Sequence, residues 1–159
     1  MKRLKIEPID AEAFAPFGQL LPPAPPGKGG RQELIEELQN ARTSARPRLS
    51  IATAAPKALP LTAVQMERHV HSSQAFAPLD CASYLVMVAP HGDGGMPDLE
   101  KVRAFRVPGD TGVNYKADTW HHPLSPLERT ARFAILTFVD GTAADEQFVD
   151  LPQPVLVED

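Results

Sequence analysis

Two polar segments of the sequence contain the residue types that bind divalent metals and transfer protons. The first, residues 67–74, contains Glu67, His69, His71 and Gln74, and the second, residues 112–123, contains Tyr115, Lys116, His121 and His122. Neutral imidazole and carboxylate groups suit divalent transition metals, and three protein ligands with open coordination positions are the pattern of catalytic sites. We therefore predict one cavity that holds a divalent metal, with the ligands Glu67, His69, Gln74 and His121.

The first segment has the alternation of a β-strand with one polar face. Side chains at every second position of a strand share a face, which groups Gln65, Glu67, His69 and His71 on one side and Val64, Met66, Arg68 and Val70 on the other. The alternative interpretation is an edge strand whose polar face lies in water. The two histidines of the second segment favour the functional interpretation, because they add ligands from a separate part of the chain.

The second segment supplies the candidate catalytic residues His121, Lys116 and Tyr115. His121 and His122 are adjacent, so on a strand they point to opposite faces and at most one enters the pocket. We choose His121 for the pocket and expect His122 to support the site or to lie at the surface. Tyr115 and Lys116 are candidates for a proton donor or a contact to a substrate carboxylate, with simple solvation as the alternative.

Four residues are candidates for substrate binding: Arg68, Arg103, Asn114 and His122. Arg103 and Arg106 lie in an otherwise apolar strand, and a guanidinium can bind a carboxylate through two parallel hydrogen bonds. We expect one of these two arginines to bind substrate and the other to lie at the surface. His91, in a glycine-rich loop, is expected in solvent.

The elements that must position these residues are mostly strands. Seventeen prolines and ten glycines in 159 residues indicate many short elements joined by turns. Apolar or alternating runs predict an opening strand at Leu4 and Ile6 and further strands at residues 49–52, 61–71, 84–89, 103–107 and 132–139. The predicted fold is mainly β, an antiparallel barrel or sandwich.

Two helices are predicted at the periphery of this barrel. Asp10 is a suitable N-cap for a short helix through Phe14. Residues 31–42 are predicted to form an amphipathic helix that packs on the outside of the barrel through Leu34, Ile35 and Leu38.

Composition restricts the class of protein. The length suggests one domain over residues 1–159, and Cys81 is the only cysteine, which excludes an intramolecular disulfide. A net charge of −4 without a basic patch argues against nucleic acid as a partner. The longest apolar run, residues 84–89, is too short to span a membrane. With no apolar segment at the start, we expect a cytoplasmic protein with a small-molecule substrate.

Several motifs resemble the ureidoglycolate lyase family, also called ureidoglycolate hydrolase. They are Met66-Glu67-Arg68-His69, Ser73-Gln74-Ala75-Phe76, Gly112-Val113-Asn114-Tyr115 and Trp120-His121-His122-Pro123. The resemblance implies a cupin-like double-stranded β-helix (a jelly-roll barrel), commonly a homodimer, that acts in allantoin and purine-nitrogen breakdown. It also implies cleavage of ureidoglycolate into glyoxylate and urea with Ni²⁺ as the usual metal, while Zn²⁺ and Mn²⁺ stay open.

The sequence departs from the family pattern at three places. The segment 27–42 lacks the usual Asn-Gly turn followed by an arginine, Thr53 stands near a usual arginine, and Lys116 stands where a histidine often occurs. If the missing arginine binds the substrate carboxylate, a related hydroxy or ureido acid becomes an alternative substrate. A cupin that binds a small metabolite without catalysis is the second alternative.

Overall fold

The computed structural model describes residues 1–34 and 36–159, and most of the regular structure is β-strand. The strands are β1 (Lys2–Lys5), β2 (Glu7–Pro8), β3 (Gly18–Leu21), β4 (Arg46–Ala54), β5 (Leu61–Arg68), β6 (Gln74–Asp80), β7 (Ser83–Ala89), β8 (Arg103–Pro108), β9 (Gly112–Tyr115), β10 (Trp120–His121), β11 (Ser125–Leu127), β12 (Ala131–Val139) and β13 (Gln147–Glu158). Within these described residues, one helix, α1 (Ala11–Phe14), and two 3₁₀ turns at Asp93–Gly95 and Ala143–Asp145 complete the secondary structure.

The strands form two sheets. The larger sheet has the order β1-β13-β5-β10-β7-β8-β2, with β11 also paired to β7, and the smaller has the order β3-β9-β6-β12-β4. Most pairs are antiparallel, and β1 also contacts β8, so the larger sheet curls until it is nearly closed. This confirms a mainly β, cupin-like jelly-roll barrel with a few short helices at its periphery.

Strand β7 is buried on both faces, which explains its uninterrupted apolar sequence. Val88 faces one cluster of buried side chains that includes Phe105 of the larger sheet and Phe133 of the smaller sheet. Met87 faces a second cluster, with Trp120, built mainly from the strands of the larger sheet. The first cluster therefore lies between the two sheets, and the second lies within the curl of the larger one.

The predicted N-terminal helix is confirmed. Asp10 has extended backbone angles, and its carboxylate accepts a hydrogen bond of 2.9 Å from the backbone N–H of Ala13. Phe14, on this helix, is fully buried in the cluster between the sheets. No helix in the described part of the chain is long and apolar enough to span a membrane.

The predicted helix at residues 31–42 is wrong for all its described residues, and Ile35 lies outside them. Residues 31–34 and 36–42 are non-helical, and Leu38 is 40% exposed. The backbone of this segment bonds to distant partners: Gln39 N–H donates to Ser73 Oγ at 2.9 Å and Ala41 N–H donates to the His71 carbonyl at 2.9 Å. These tertiary hydrogen bonds replace the internal hydrogen bonds of a helix.

Candidate metal centre

Pairing between β5 and β10 places Glu67 and His121 side by side. The two residues are direct partners in the antiparallel register, and His121 is also the partner of Val88 on β7. Cross-strand partners share a face, so these side chains point into the space between the two sheets. Both residues are thus positioned by central strands of the larger sheet.

His69 joins this pair from outside the strand. The predicted strand 61–71 ends at Arg68, and the following residues turn toward the smaller sheet. The sequence pattern predicts that Val64 and Met66 share one face of the strand. In the structure they differ, because Met66 is fully buried while Val64 is 55% exposed. His69 therefore reaches the centre through a turn, and His71 does not belong to the cluster formed with Glu67 and His121.

The three side chains form a compact and buried cluster. One candidate ligand atom from each of Glu67, His69 and His121 lies within 4.8 Å of the other two. His121 Nε2 is 3.3 Å from Glu67 Oε1, and the two imidazole rings stack with centroids 5.6 Å apart. The His69 and His121 residues are 4% and 1% exposed, so bulk water scarcely reaches them.

Backbone carbonyls determine the tautomer of both histidines. His121 Nδ1 lies 2.9 Å from the Thr119 carbonyl oxygen, and His69 Nδ1 lies 3.0 Å from the Asp145 carbonyl oxygen. A carbonyl only accepts, so each Nδ1 carries a proton, and in the neutral form of each ring Nε2 presents the lone pair. Both Nε2 atoms are buried without a hydrogen-bond partner among the described residues. Histidines that bind metals in proteins have this arrangement.

Gln74 adds a fourth candidate ligand from the smaller sheet. It is the first residue of β6, and its register partner is Tyr115 on β9, so the two side chains share a face. The Tyr115 ring stacks on the His121 ring with centroids 4.2 Å apart. Gln74 Oε1 is buried and finds no hydrogen-bond partner in the described chain. An amide oxygen without a partner here is suited to a metal or a polar substrate group.

The electrostatics of the cluster favour the forms that bind metals. Burial raises the pKa of the Glu67 carboxyl, but His121, His69 and His122 together outweigh burial, so the pKa is lowered overall. Burial, together with the charge of His121, lowers the pKa of His69. At neutral pH Glu67 is therefore ionised and His69 is neutral, and these are the protonation states that ligate a divalent cation.

Tyr115 is kept in its neutral form. Burial first, and then the nearby Glu67 carboxylate, raise the pKa of the phenol well above its usual range. A phenol in this environment retains its proton at every physiological pH. Its stacking on His121 holds the ring in one orientation.

Several predicted site residues lie away from the cluster. Lys116 Nζ donates to the Ala15 carbonyl at 2.8 Å. Asn114 alternates with Tyr115, so it lies on the opposite face of the smaller sheet, where its Nδ2 donates to the Glu37 carbonyl at 3.3 Å. A surface cavity of about 500 Å³ lies beside Lys116 and Glu37 and is not lined by any of the three cluster residues. Cavity size alone therefore does not locate the centre.

The two arginines proposed for substrate binding are engaged elsewhere. Arg103 forms an ion pair with Glu7 at 2.9 Å. Arg68 lies on the strand face opposite to Glu67, over the Trp120 ring at 4.4 Å and paired with Asp118 at 3.0 Å. The structure brings neither guanidinium to the cluster.

The two remaining histidines have local partners. His91 is exposed, as expected, and places Nε2 2.8 Å from the Asp118 carbonyl and Nδ1 3.2 Å from the Gly95 carbonyl. His122 is partly buried next to the candidate ligand, with Nδ1 3.0 Å from the Pro123 carbonyl. Burial lowers the pKa of His122, so its ring is neutral at physiological pH.

Sequence reasoning missed the residues that support His69 from behind. Asp145 supplies the carbonyl for its Nδ1, and the Asp145 carboxylate binds Arg42 at 2.7 Å. The two residues are about a hundred positions apart and lie outside the strands, so neither spacing nor periodicity signals their contact.

The loop that carries Asp145 is expected to make the stability of the folded protein depend on pH in the acid range. Hydrogen bonds from Thr142, with a smaller contribution from Ser44 and Arg42, lower the pKa of Asp140 from 3.8 to about 2. A depressed native pKa contributes stability above the unfolded pKa, and that stability is lost as pH falls from about 4 toward 2. We expect Asp140→Asn to lower the melting temperature at pH 6, with a difference from wild type that shrinks below pH 4.

Thermal unfolding across this pH range checks the expectation. Asp93→Asn is the matched control, because the Asp93 carboxylate makes no hydrogen bond to the described residues. A melting-temperature difference for Asp140→Asn that stayed constant from pH 6 to pH 2 would contradict an electrostatic origin.

Two sheets, the larger of them nearly closed, and a buried His/Glu cluster define this protein as a cupin-like barrel with a candidate metal centre. The chain belongs to the ureidoglycolate lyase family, because the family model described as ureidoglycolate lyase matches residues 1–158. The resemblance seen in the sequence motifs is therefore confirmed.

Named relatives agree over the full length of the chain. A ureidoglycolate lyase of Burkholderia mallei is 36% identical over 167 residues, which cover 100% of this chain and 95% of the relative. One from Pseudomonas aeruginosa is 36% identical over 166 residues, covering 99% and 97% respectively. A third, from Pseudomonas savastanoi pv. phaseolicola, is 36% identical over 156 residues, covering 93% and 91%.

Proposed function

We propose that this protein is a ureidoglycolate lyase that cleaves ureidoglycolate into glyoxylate and urea. Within this proposal Glu67, His69, Gln74 and His121 hold a divalent metal. The observation that carries the metal site is the pair of buried imidazole Nε2 atoms that form no hydrogen bond to the described residues, each with its Nδ1 proton donated to a carbonyl. Family membership identifies the reaction.

The donor set fits a divalent transition metal. Two neutral imidazoles, one carboxylate and one amide oxygen leave coordination positions for substrate, as catalytic sites require. A divalent metal bound here would act as a Lewis acid toward the substrate hydroxyl and carboxylate. The family resemblance favours Ni²⁺, with Zn²⁺ and Mn²⁺ as alternatives that elemental analysis of the purified protein distinguishes.

The reaction requires two proton movements, which this chain's residues must support. The central carbon of ureidoglycolate carries a hydroxyl, a carboxylate and a urea nitrogen. Loss of the hydroxyl proton lets the oxygen form the aldehyde of glyoxylate while the carbon–nitrogen bond breaks. The departing nitrogen then takes a proton and leaves as urea, so no water is consumed.

We assign the proton donor to Tyr115 and place His122 among the substrate contacts. The Tyr115 phenol remains protonated beside Glu67 and stacks on His121, which supports a role in donating to the departing nitrogen. His122 is partly buried and adjacent to a proposed ligand. Four other residues with predicted roles have partners elsewhere: Lys116, Asn114, Arg68 and Arg103. We therefore assign these four side chains no part in the proposed reaction.

A product assay with ureidoglycolate tests the proposed function. The lyase reaction releases intact urea with glyoxylate, whereas hydrolysis of the ureido group would release ammonia and carbon dioxide. Urea and glyoxylate in equal amounts from metal-loaded protein is the expected result. Ammonia without urea would overturn the lyase assignment, and binding without turnover would favour the related-acid or metabolite-binding alternatives raised by Thr53 and Lys116.

We further propose a homodimer that forms through β4. This strand is at the edge of the smaller sheet, and it exposes Leu49 by 72% and Ile51 by 58%. An edge strand with exposed apolar side chains is a template for pairing with another strand. The family resemblance, which implies a homodimer, supports a second copy of this chain as the partner.

The dimer proposal predicts that Leu49→Glu combined with Ile51→Glu gives a monomer. Two carboxylates in an apolar contact would be desolvated and would repel their copies across the interface. Size-exclusion chromatography with light scattering measures the change in mass. The control is Val64→Glu, which places one such carboxylate at a 55% exposed position on the larger sheet. A wild-type protein with the mass of a monomer would refute the proposal.

We also propose that residues 1–159 act as one catalytic domain, in the cytoplasm, in purine-nitrogen breakdown through allantoin. A single free cysteine, Cys81, supports a reducing compartment, because the chain cannot form an intramolecular disulfide. Fractionation of cells that express the tagged protein tests the location.

A further inference from the structure

Three segments meet behind His69. They are residues 39–42, which we call the strap, the turn that follows β5, and a loop at residues 140–146. The strap pairs with the turn that follows β5: Ala41 N–H donates to the His71 carbonyl at 2.9 Å, and Ser73 N–H donates to the Gln39 carbonyl at 3.0 Å. The strap lies in the segment that was predicted to be a helix. Its backbone is not helical, and it places the Arg42 side chain in the interior. Arg42 is 13% exposed in its side chain.

Arg42 joins the strap to the third segment, the carboxylate loop, residues 140–146. Its Nη1 lies 3.0 Å from Asp140 Oδ1, and its Nη2 lies 2.7 Å from Asp145 Oδ1. The same Nη2 also donates to the Phe138 carbonyl at 3.3 Å. One guanidinium therefore binds two carboxylates and the end of β12, which the planar donor geometry of arginine allows and a lysine cannot reproduce.

Asp145 is the link between Arg42 and His69. Its carboxylate accepts from the backbone N–H groups of Asp140 at 2.9 Å and Gly141 at 2.8 Å, while its own carbonyl accepts from His69 Nδ1 at 3.0 Å. The position of that carbonyl determines the direction in which His69 Nε2 points. His69 needs such support because it lies beyond the end of β5, whereas His121 is held within a strand.

We propose that Arg42 is a positioning residue that fixes the tautomer and orientation of His69 through Asp145, and thereby sets the affinity of the metal centre. The inference rests on the proposed metal site and deepens it. Groups behind metal ligands tune affinity because they orient the ligand and select its tautomer. Arg42 does this through the backbone carbonyl of a residue whose side chain it holds.

The carboxylate loop keeps its own hydrogen bonds when Arg42 is removed. Asp140 still accepts from the N–H and hydroxyl of Thr142, and Asp145 still accepts from two backbone N–H groups. Neither carboxylate is left without partners, so the protein is expected to fold. What is lost is the guanidinium that joins the strap to the Asp145 carboxylate and so supports the place of the Asp145 carbonyl, while the Ser44 hydroxyl still donates to Asp140 at 3.0 Å.

The test compares Arg42→Met, Arg42→Lys and the control Arg132→Met with the wild type. Methionine keeps much of the aliphatic volume, and Arg132 forms a separate surface ion pair with Asp80 at 3.3 Å. Calorimetric titration of the metal-free proteins with Ni²⁺, and separately with Zn²⁺, measures affinity. We expect Arg42→Met to bind about 10- to 100-fold more weakly, Arg42→Lys to fall between it and the wild type, and Arg132→Met to be unchanged.

Long-range ¹H–¹⁵N spectra of the imidazoles provide a readout independent of activity. In metal-free wild type, His69 should be the Nδ1–H tautomer, and in Arg42→Met the Nε2–H tautomer should appear. A purely structural role would lower the melting temperature and leave the His69 tautomer unchanged. If Arg42→Met does not fold, Arg42→Lys carries both measurements.

The outcomes separate this inference from the proposed function. If the wild type bound neither Ni²⁺ nor Zn²⁺, the metal site itself would be wrong. If the wild type bound metal and both Arg42 variants bound it equally well with His69 in the same tautomer, the positioning role alone would be overturned. Weaker metal binding together with a mixed tautomer supports it.

Discussion

His121→Ala is expected to abolish most urea release from ureidoglycolate and to remove metal binding, while the barrel still folds. Residues that only support metal ligands change affinity or activity by about 10- to 100-fold, so loss of a ligand should exceed about 100-fold. His121 presents its Nε2 3.3 Å from Glu67 Oε1 at the centre of the cluster. Urea release, metal content and thermal unfolding are measured on the same preparation.

The control for this variant is His91→Ala. His91 contacts Asp118 and Gly95 and lies outside the Glu67, His69 and His121 cluster. Its removal should leave both metal content and urea release intact. Full metal content in His121→Ala with normal urea release would show that the buried Nε2 atoms serve another purpose.

The barrel could be predicted because its strongest sequence signals are local. The uninterrupted apolar run of β7 and the apolar-rich sequences of β8 and β12 indicate strands directly, and all three strands occur where the pattern predicts them. Several strands were not predicted, including the long β13, and two of them, β9 and β10, have too few residues to show a period. They matter for function, because they carry Tyr115 and His121.

The error at residues 31–42 has an instructive physical cause. Its apolar residues recur at helical spacing, but a helix also needs its backbone to bond internally. Gln39 and Ala41 instead bond to the turn after β5. Those partners are about thirty residues away in the sequence, and no property of the segment itself indicates them. Tertiary contacts outweighed local propensity here.

The candidate centre was predictable in its residue types and only partly in its geometry. Glu67 and His121 share a face because their strands pair, which alternation alone can suggest. His69 follows a different rule, since it leaves the strand and is held by the Asp145 carbonyl. Arg68 is adjacent to both Glu67 and His69 in sequence, yet it lies on the opposite face with Trp120. Side-chain direction therefore separates neighbours that a motif groups together.

The Tyr115 phenol offers the second large effect, and one that separates proton transfer from metal binding. Tyr115→Phe keeps the ring that stacks on His121 at 4.2 Å and removes only the hydroxyl. We expect urea release to fall by about 10²- to 10⁴-fold, the usual contribution of a positioned general acid, with metal affinity unchanged. Steady-state urea release and calorimetric metal titration are the two measurements.

Tyr84→Phe is a matched control for Tyr115→Phe, because Tyr84 is the other tyrosine of the chain and is equally buried. Its hydroxyl donates to the Thr111 carbonyl at 2.7 Å, away from the cluster, so its removal should lower stability slightly and leave urea release intact. If both variants released urea at the wild-type rate, another group would have to protonate the departing nitrogen. If Tyr115→Phe lost metal as well as activity, the phenol would act by supporting His121 rather than by donating a proton.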